Sequence, residues 1–189
     1  MSNAPYDTLN TFHKAARNSG LEYFLIGGFA VSYWGAPRFT ADVDFVVLSS
    51  SLETVKRVAE ELDYTLAFLH PNQGFAHFVD RHESTFRIDF MLVNEDTWKK
   101  LKESSTVVDF GGAEPIPIVS ALHLIAMKLH AAKQPDRTER YKDLNDVVEI
   151  LLAQGLCLDD LEKAGIMQKH GNETTINELR RLFRSRGQR

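Results

Sequence analysis

The sequence predicts a mixed α/β fold of the α+β kind, in which a mixed sheet flanked by helices is followed by a helical region. Three observations predict it. Short apolar runs alternate with helical patterns up to about residue 118, one of those runs carries two carboxylates at i and i+2, and the apolar spacing is helical from residue 120 onward. We therefore expect a core at residues 1–118 and a C-terminal helical region, packed on that core, at residues 119–189.

Hydrophobic periodicity and turn residues give the order of the elements. The helices predicted before residue 118 lie at residues 6–19, 29–34, 50–63 and 95–103, and Ser50 with Glu53 suggests a capping box for the third. The predicted strands lie at residues 23–26, 42–47, 64–69, 75–79, 86–93 and 106–110. Turns at residues 70–74 and 80–84 separate three of these strands, which are expected to be neighbours, mostly antiparallel. After a junction at residues 115–117, helices are predicted from residue 120, from about residue 138, at 159–164 and at 173–186.

Composition excludes several classes of protein. The 189 residues have a formal net charge of −4, 43% of them are hydrophobic and 25% are charged, which is typical of a folded globular chain. No apolar run reaches the roughly 18 to 20 residues of a membrane span, and the first residues lack a signal-peptide pattern, so we expect a cytoplasmic protein with no membrane partner. The single cysteine, Cys157, excludes an internal disulfide and a cysteine-rich zinc site, and we expect it to pack as a small apolar side chain.

Three carboxylates predict a divalent metal site. Asp42 and Asp44 stand at i and i+2, which places both on one face of a strand. Acids held side by side repel one another and are tolerated chiefly when a cation lies between them. Asp89 interrupts a later apolar strand, where a buried carboxylate needs a partner. The simpler alternatives are polar positions on the exposed face of an edge strand and, for Asp89, an ion pair with Arg87 or Arg38.

A glycine turn precedes the first two carboxylates. Gly27 and Gly28 end the first predicted strand abruptly and let the backbone approach a ligand closely. If a helix follows, backbone N–H groups near Gly28 lie at its amino end, where a phosphate is favoured. Arg38 and Thr40 are candidates for contact with a triphosphate, although Arg38 is equally consistent with a solvated turn. Together with the acids, these parts are suited to phosphoryl or nucleotidyl transfer assisted by a divalent metal.

These motifs resemble the nucleotidyltransferases of the DNA polymerase β superfamily. The signature of that superfamily is an apolar residue, Gly, then Gly or Ser, a spacer, Asp-x-Asp, and a third acid on a later strand. Residues 26–28, 42–44 and 88–90 match it in that order. The resemblance implies a nucleotidyltransferase-type sheet in a catalytic core at residues 1–118. The three acids are expected to be catalytic metal ligands: Asp42 and Asp44 would hold the metal that binds the triphosphate, and Asp89 would share a second metal or orient the attacking hydroxyl as a base.

A second set of motifs resembles one branch of that superfamily. Residues 126–131 and 137–146 are similar to the lysine helix and the lysine–aspartate helix of the minimal branch that includes the abortive-infection (AbiEii-type) toxins. The resemblance spans residues 24–152. It implies that Lys128 binds the triphosphate and that Asp143 is a supporting polar residue near the nucleotide.

The resemblance implies an enzyme that transfers NMP from an NTP to an acceptor hydroxyl and releases pyrophosphate. The cofactor would be Mg²⁺, with Mn²⁺ as the alternative, and ATP is among the candidate nucleotides. The acceptor is left open between tRNA, a protein and a small molecule such as an aminoglycoside, and a toxin of this branch would have an antitoxin partner. The alternative is a catalytically silent nucleotidyltransferase-like module that acts through nucleotide or protein binding.

Several charged residues have more than one interpretation. Lys128 lies near an apolar stripe and could extend to solvent, and residues 137–146 could form a solvated surface helix. The arginines of the last ten residues could contact RNA phosphates or simply suit the carboxyl end of a helix. None of the seven histidines has a recognised metal spacing, and His77, on a strand near the proposed site, is the one of interest.

Overall fold

The structure is a computed structural model that describes residues 4–70, 74–82, 87–110 and 114–186. Parts of the predicted turns, at 71–73 and 83–84, lie outside these ranges, as do Phe86, the glycines at 111–112 and Arg189. The chain divides into two compact units. The sheet unit comprises Met1–Ala30 and Phe39–Ser120, and the helical unit comprises Val31–Arg38 and Ala121–Arg189.

Within the described ranges, seven strands form one mixed sheet in the sheet unit. They are β1 (Phe24–Leu25), β2 (Asp42–Leu48), β3 (Tyr64–His70), β4 (Phe75–Asp80), β5 (Arg87–Val93), β6 (Thr106–Val108) and β7 (Ile116–Ile118). Their order is β3-β4-β5-β2-β1-β7-β6. Strands β3, β4 and β5 are antiparallel neighbours, as predicted, whereas β2 and β5 pair in parallel. The predicted mixed α/β fold is confirmed.

Four helices begin before residue 118 in the described chain. They are α1 (Ala4–Asn18), α2 (Gly27–Trp34), α3 (Leu52–Glu61) and α4 (Glu95–Ser104). Helix α1 packs on the sheet through Phe12, whose ring centroid lies 4.3 Å from that of Phe45 on β2 and 5.4 Å from that of Phe90 on β5. This aromatic core covers one face of the central strands. Alternate residues of β2 therefore point away from it, toward the opposite face.

One local prediction in the sheet unit is wrong, and one strand, β7, is not predicted by the sequence. Ser49–Ser51 form a short 3₁₀ helix, so Ser50 lies inside that turn, and Ser51, which caps α3, makes no side-chain capping bond. The predicted capping box is absent from this described segment, and Glu53 instead accepts a 2.7 Å bond from Lys56. The predicted junction at residues 115–117 overlaps strand β7. Because Ile116 and Ile118 are buried and pair with β6, with Ile118 also next to β1, the proline between them does not prevent a strand.

The helical unit contains five further helices in the part of the chain that is described. They are α5 (Ala121–Ala132), α6 (Arg140–Ala153), α7 (Leu158–Lys163), α8 (Ile166–His170) and α9 (Glu173–Arg186). Helices α5 and α6 pack against each other through buried aliphatic side chains such as Leu129 and Leu144. Helix α8 was not predicted, because its five residues are too few for a periodic pattern. None of the described helices is long and apolar enough to cross a membrane.

The prediction that Cys157 packs as an apolar side chain is wrong. Its side chain is exposed at the start of α7, where its backbone N–H donates to Asp160 over 2.8 Å. The thiol donates to the same carboxylate oxygen over 3.1 Å. A helix-capping position is partly solvated, so the residue is held there by polar contacts and not by burial.

Candidate active site

The three predicted acids meet on one face of the sheet. Asp44 on β2 and Asp89 on β5 are register partners, because the two strands are parallel and in contact along their length. One carboxylate oxygen from each of Asp42, Asp44 and Asp89 lies within 4.8 Å of the others. No histidine among the described residues belongs to such a group. A single divalent cation between these oxygens could therefore be bound by all three.

The position of β2 rules out the simplest alternative for these acids. Strand β2 lies between β1 and β5, so it is a central strand and not an edge strand. Val43, Phe45 and Val47 are fully buried on the core face, while Asp42 and Asp44 are partly exposed on the other. Three carboxylates with oxygens within 4.8 Å of one another repel each other, so the cluster fits a bound cation better than a solvated surface.

Two glycines fit closely around the acids. Gly27 begins α2 with φ of 63°, and a Cβ built on it would overlap the Asp44 carboxylate. A Cβ on Gly28 would overlap the hydroxyl of Thr40. Helix α2 starts at Gly27, two residues earlier than predicted, and its first-turn N–H groups, which have no partner within a helix, therefore belong to the segment next to the Asp44 carboxylate. Donors for an anion and ligands for a cation are thus adjacent, which suits a metal-bound phosphate.

Hydrogen bonds hold two of the carboxylates in place. The Thr40 hydroxyl donates to Asp42 Oδ1 over 2.8 Å, and Arg87 Nη2 lies 3.3 Å from Asp42 Oδ2. His77 Nδ1 lies 2.7 Å from Asp89 Oδ1. The predicted alternative of an ion pair between Asp89 and Arg87 is therefore wrong. The register explains it, since Arg87 is opposite Asp42 and His77 is opposite Asp89.

In the helical unit, Lys128 is buried between two acids. Its Nζ lies 2.9 Å from Asp143 Oδ1 and 2.8 Å from Asp146 Oδ2. The exposed fractions of the three side chains are 12%, 1% and 5%. The interpretation of Lys128 as a residue that extends to solvent is wrong. The interpretation of residues 137–146 as a surface helix holds in part, because Tyr141 and Lys142 are exposed and Lys142 pairs with Glu139 over 3.0 Å. Asp143 and Asp146 stand three residues apart on α6 and therefore face α5 together.

Two arginines complete this cluster. Arg137 Nε lies 2.7 Å from Asp143 Oδ2. Arg38 lies alongside Asp146, with Nε 3.1 Å from Oδ1 and Nη2 3.3 Å from Oδ2. Each buried carboxylate therefore contacts one lysine and one arginine. Arg38 is accordingly not in a solvated turn, and the alternative of a pair with Asp89 gives way to the pair with Asp146.

The charge of Lys128 is maintained by its neighbours. Burial alone would lower its pKa, but the carboxylates of Asp143 and Asp146 outweigh that effect and raise the pKa above the ordinary value of 10.5. The ammonium is thus charged at neutral pH. It has three N–H donors, of which the two carboxylates engage two.

The structure places the sequence-predicted site residues in two groups. The sheet unit holds Asp42, Asp44, Asp89, Gly27, Gly28 and Thr40 around the acidic cluster, and the helical unit holds Lys128, Asp143 and Arg38. Four residues that contact these groups are not among the predicted site residues, namely His77, Arg87, Arg137 and Asp146. The sequence offers a signal for Asp146 in its i+3 spacing from Asp143 on a predicted helix, and for His77 in its position on a strand near the proposed site.

The arginine-rich tail makes ion pairs within the helical unit. Arg180 Nη2 lies 2.7 Å from Glu162 Oε1, and Arg186 contacts Glu149 and the amide oxygen of Asn145. Arg181 and Arg184 are exposed. Two of the arginines thus have acidic partners within the chain.

The fold is that of nucleotidyltransferases. The solution structure of the antibiotic-resistance factor ANT(2'')-Ia is similar to this protein at 14% sequence identity and a TM-score of 0.62. The match covers 98% of this chain and 94% of the ANT(2'')-Ia chain. A crystal structure of ANT(2'')-Ia in complex with adenylyl-2''-tobramycin is similar at 15% identity and a TM-score of 0.59. The match covers 95% of this chain and 97% of the other chain. The crystal structure of the lincosamide antibiotic adenylyltransferase LnuA, with lincomycin bound, is similar at 13% identity and a TM-score of 0.57. The match covers 79% of this chain and 99% of the LnuA chain.

The family follows from the sequence of most of the chain. Residues 14–187 match the model of the nucleotidyl transferase AbiEii toxin family of type IV toxin–antitoxin systems. The chain belongs to that family and is a nucleotidyltransferase, which confirms the predicted resemblance. No curated protein shows significant sequence similarity to it.

Proposed function

We propose that the protein transfers NMP from an NTP to an acceptor hydroxyl and releases pyrophosphate. The observation that carries this proposal is the acidic cluster, with one oxygen each from Asp42, Asp44 and Asp89 within 4.8 Å of the others, beside the amino end of α2. Family membership supports the class of reaction. We retain residues 1–118 as the catalytic core and place the reaction in the cytoplasm, where NTPs are abundant.

The metal proposed for the cluster is Mg²⁺, with Mn²⁺ as the alternative. Both are hard cations that prefer carboxylate and phosphate oxygens, which is the set that Asp42, Asp44 and Asp89 offer. When bound, the metal neutralises charge on the phosphates and lowers the pKa of the attacking hydroxyl. The fit of the acids is supported by their mutual distances and by the space that Gly27 leaves free next to Asp44.

Other residues near the acidic cluster bind the phosphates or orient the carboxylates. The backbone N–H groups at Gly27 and Gly28 bind phosphate oxygens, and Thr40 fixes the Asp42 carboxylate through its 2.8 Å bond. Asp89 accepts the proton of the acceptor hydroxyl. The acceptor oxygen forms a bond to the α-phosphorus, the bond from that phosphorus to the oxygen of the β-phosphate breaks, and pyrophosphate leaves.

The cationic residues of the helical unit are proposed to bind the triphosphate. Lys128 has one N–H donor beyond those that Asp143 and Asp146 engage, and a phosphate oxygen would accept it. Asp143 orients the ammonium, and Arg38 adds a second positive charge. These assignments are supported by the family motif and by the burial of the ion pairs.

The acceptor is proposed to be a hydroxyl of tRNA, of a protein or of a small molecule. ANT(2'')-Ia with adenylyl-2''-tobramycin and the adenylyltransferase LnuA with lincomycin are examples of this fold with small-molecule ligands. They support ATP as the first nucleotide to test. Membership of a toxin family supports a cellular target and an antitoxin partner.

Labelled nucleotides test the reaction directly. The wild-type protein, Asp42→Asn and the exposed control Asp136→Asn are incubated with each α-labelled NTP, Mg²⁺ and a total cell extract. We expect label in one acceptor fraction with the wild type and the control, and none with Asp42→Asn. Nucleotide-dependent stabilisation of the wild type without any transfer would contradict the proposal and favour a catalytically silent module.

A growth assay tests the toxin assignment. We expect induction of the wild-type chain to arrest growth and induction of Asp44→Asn at an equal protein level to have no effect, because the variant lacks a metal ligand. Growth arrest by both proteins would separate toxicity from the proposed reaction.

A further inference from the structure

Four side chains lie in a row across neighbouring strands on the acidic face of the sheet. Asp44 on β2 is opposite Asp89 on β5, Asp89 is opposite His77 on β4, and His77 is opposite Phe68 on β3. Residues that are register partners point to the same side of a sheet. The row therefore connects the acidic cluster to the edge of the sheet through His77.

His77 bonds directly to a proposed metal ligand. Its Nδ1 lies 2.7 Å from Asp89 Oδ1, and the exposed fractions of the two side chains are 35% and 12%. An ionised carboxylate only accepts hydrogen bonds, so Nδ1 carries the proton and donates it. One oxygen of Asp89 is thus engaged by the imidazole, and the rotation of the carboxylate about its bond to Cβ is restricted.

Phe68 holds the imidazole from the other side. The two ring centroids lie 6.0 Å apart with 30° between the ring planes. Strand β3 has a bulge between Leu66 and Phe68, and without the extra residue Ala67 would be opposite His77. Bulges commonly redirect a side chain next to an active site. Here the bulge places a half-exposed aromatic ring against the histidine, where a regular strand would place a methyl group.

We propose that His77 is a positioning residue for the metal site, which fixes the Asp89 carboxylate by hydrogen bonding and is itself held by Phe68. The proposal rests on the proposed function of the acidic cluster. Its physical basis is that a carboxylate free to rotate loses conformational entropy when it binds a cation, whereas a carboxylate already fixed does not. Hydrogen-bond partners of metal ligands typically contribute a factor of about 10 to 100 in metal affinity or activity.

Direct binding of Mn²⁺ tests this role. Free Mn²⁺ is measured by electron paramagnetic resonance with the wild type, His77→Ala, His77→Asn and His77→Gln, and with the exposed control His82→Ala. We expect the Kd for Mn²⁺ to rise about 10-fold or more in His77→Ala and His77→Gln. His77→Asn should restore most of the affinity, because its amide nitrogen occupies the position of Nδ1, and His82→Ala should bind as the wild type does.

The other outcomes distinguish a failure of the positioning role of His77 from a failure of the proposed function. An unchanged Kd in His77→Ala, or equal affinities in His77→Asn and His77→Gln, overturns the positioning role and leaves the metal site intact. If His77→Ala does not fold, the comparison of the Asn and Gln variants decides alone. A wild-type protein that binds no Mn²⁺ overturns the proposed function itself. In transfer assays, the positioning role predicts a higher Mg²⁺ requirement with little change in the KM for the NTP.

Discussion

Asp44 and Asp89 are direct register partners on the parallel strands β2 and β5, with their carboxylates on the same face of the sheet. Like charges opposite each other on a sheet are destabilising, so without metal the pair opposes folding. We expect Asp44→Asn to raise the free energy of unfolding by up to about 1 kcal/mol in EDTA. Urea unfolding measures this, with Asp136→Asn as the control. Destabilisation by Asp44→Asn in EDTA would contradict the expected repulsion.

Metal binding should make the wild type more stable than Asp44→Asn, the reverse of the order expected in EDTA. A ligand that binds only the folded state at one hundred times its Kd stabilises it by about 2.7 kcal/mol. For a chain of this length that corresponds to a rise of roughly 5 to 10 °C in Tm. We expect Mg²⁺ or Mn²⁺ to raise the Tm of the wild type, and to leave that of Asp44→Asn and Asp89→Asn nearly unchanged. Equal shifts in all three proteins would place the bound metal elsewhere.

The acidic cluster was predictable from the sequence, whereas its hydrogen-bond partners were not. The i and i+2 spacing of Asp42 and Asp44 fixes their common face in any strand. Which residues oppose them depends on strand register, which local sequence does not determine. For that reason the sequence left Arg87 as a candidate partner of Asp89, although the register places His77 there.

The buried ion cluster of the helical unit was harder to predict for a different reason. The alternating charges around Asp143 and Asp146 are typical of a solvated helix. Their burial depends on the packing of α6 against α5 and on the presence of Lys128, Arg137 and Arg38 in the same place. Such pairing is a tertiary property and leaves only weak traces in periodicity. The traces available were the i+3 spacing of the two acids and the resemblance of residues 137–146 to the lysine–aspartate helix.

A glycine substitution tests how closely the backbone fits the acids. Gly27 and Gly20 both have positive φ, at 63° and 67°, but a Cβ on Gly27 would overlap the Asp44 carboxylate while a Cβ on Gly20 would meet open space. Gly20→Ala should cost about 1 to 2 kcal/mol of stability from backbone strain alone. We expect Gly27→Ala to cost clearly more and to weaken Mn²⁺ binding, which Gly20→Ala leaves unchanged.

The outcome of that comparison separates two roles of the turn. Urea unfolding gives the stability of both variants, and electron paramagnetic resonance gives their Mn²⁺ affinity. Similar stability losses with intact Mn²⁺ binding in both would mean that Gly27 is needed only for its backbone conformation. The space that it leaves for Asp44 would then have no part in the metal site.

Lys128 should contribute to stability as well as to nucleotide binding. Lys128→Met leaves Asp143 and Asp146 with only their arginine partners, and loss of one partner from a buried ion pair costs about 3 kcal/mol. The double variant with Lys128→Met and Asp146→Asn should lose less unfolding free energy than the two single variants lose together, because the two residues interact. Additive losses, measured by urea unfolding, would show that the 2.8 Å contact carries no energy.

The contribution of Lys128 should disappear at high pH. Its pKa is raised in the folded protein, because the carboxylates of Asp143 and Asp146 outweigh the opposing effect of burial. A raised pKa means that the folded state binds the proton more tightly than the unfolded state does. The stabilisation is therefore fully present below the ordinary value of 10.5 and is lost as the pH rises through the higher folded value. We expect the difference in unfolding free energy between the wild type and Lys128→Met to stay constant from neutral pH to about 10 and to shrink above 10.5. A difference that falls already between neutral pH and 10 would mean that burial dominates, and that the two carboxylates do not hold the charge on Lys128.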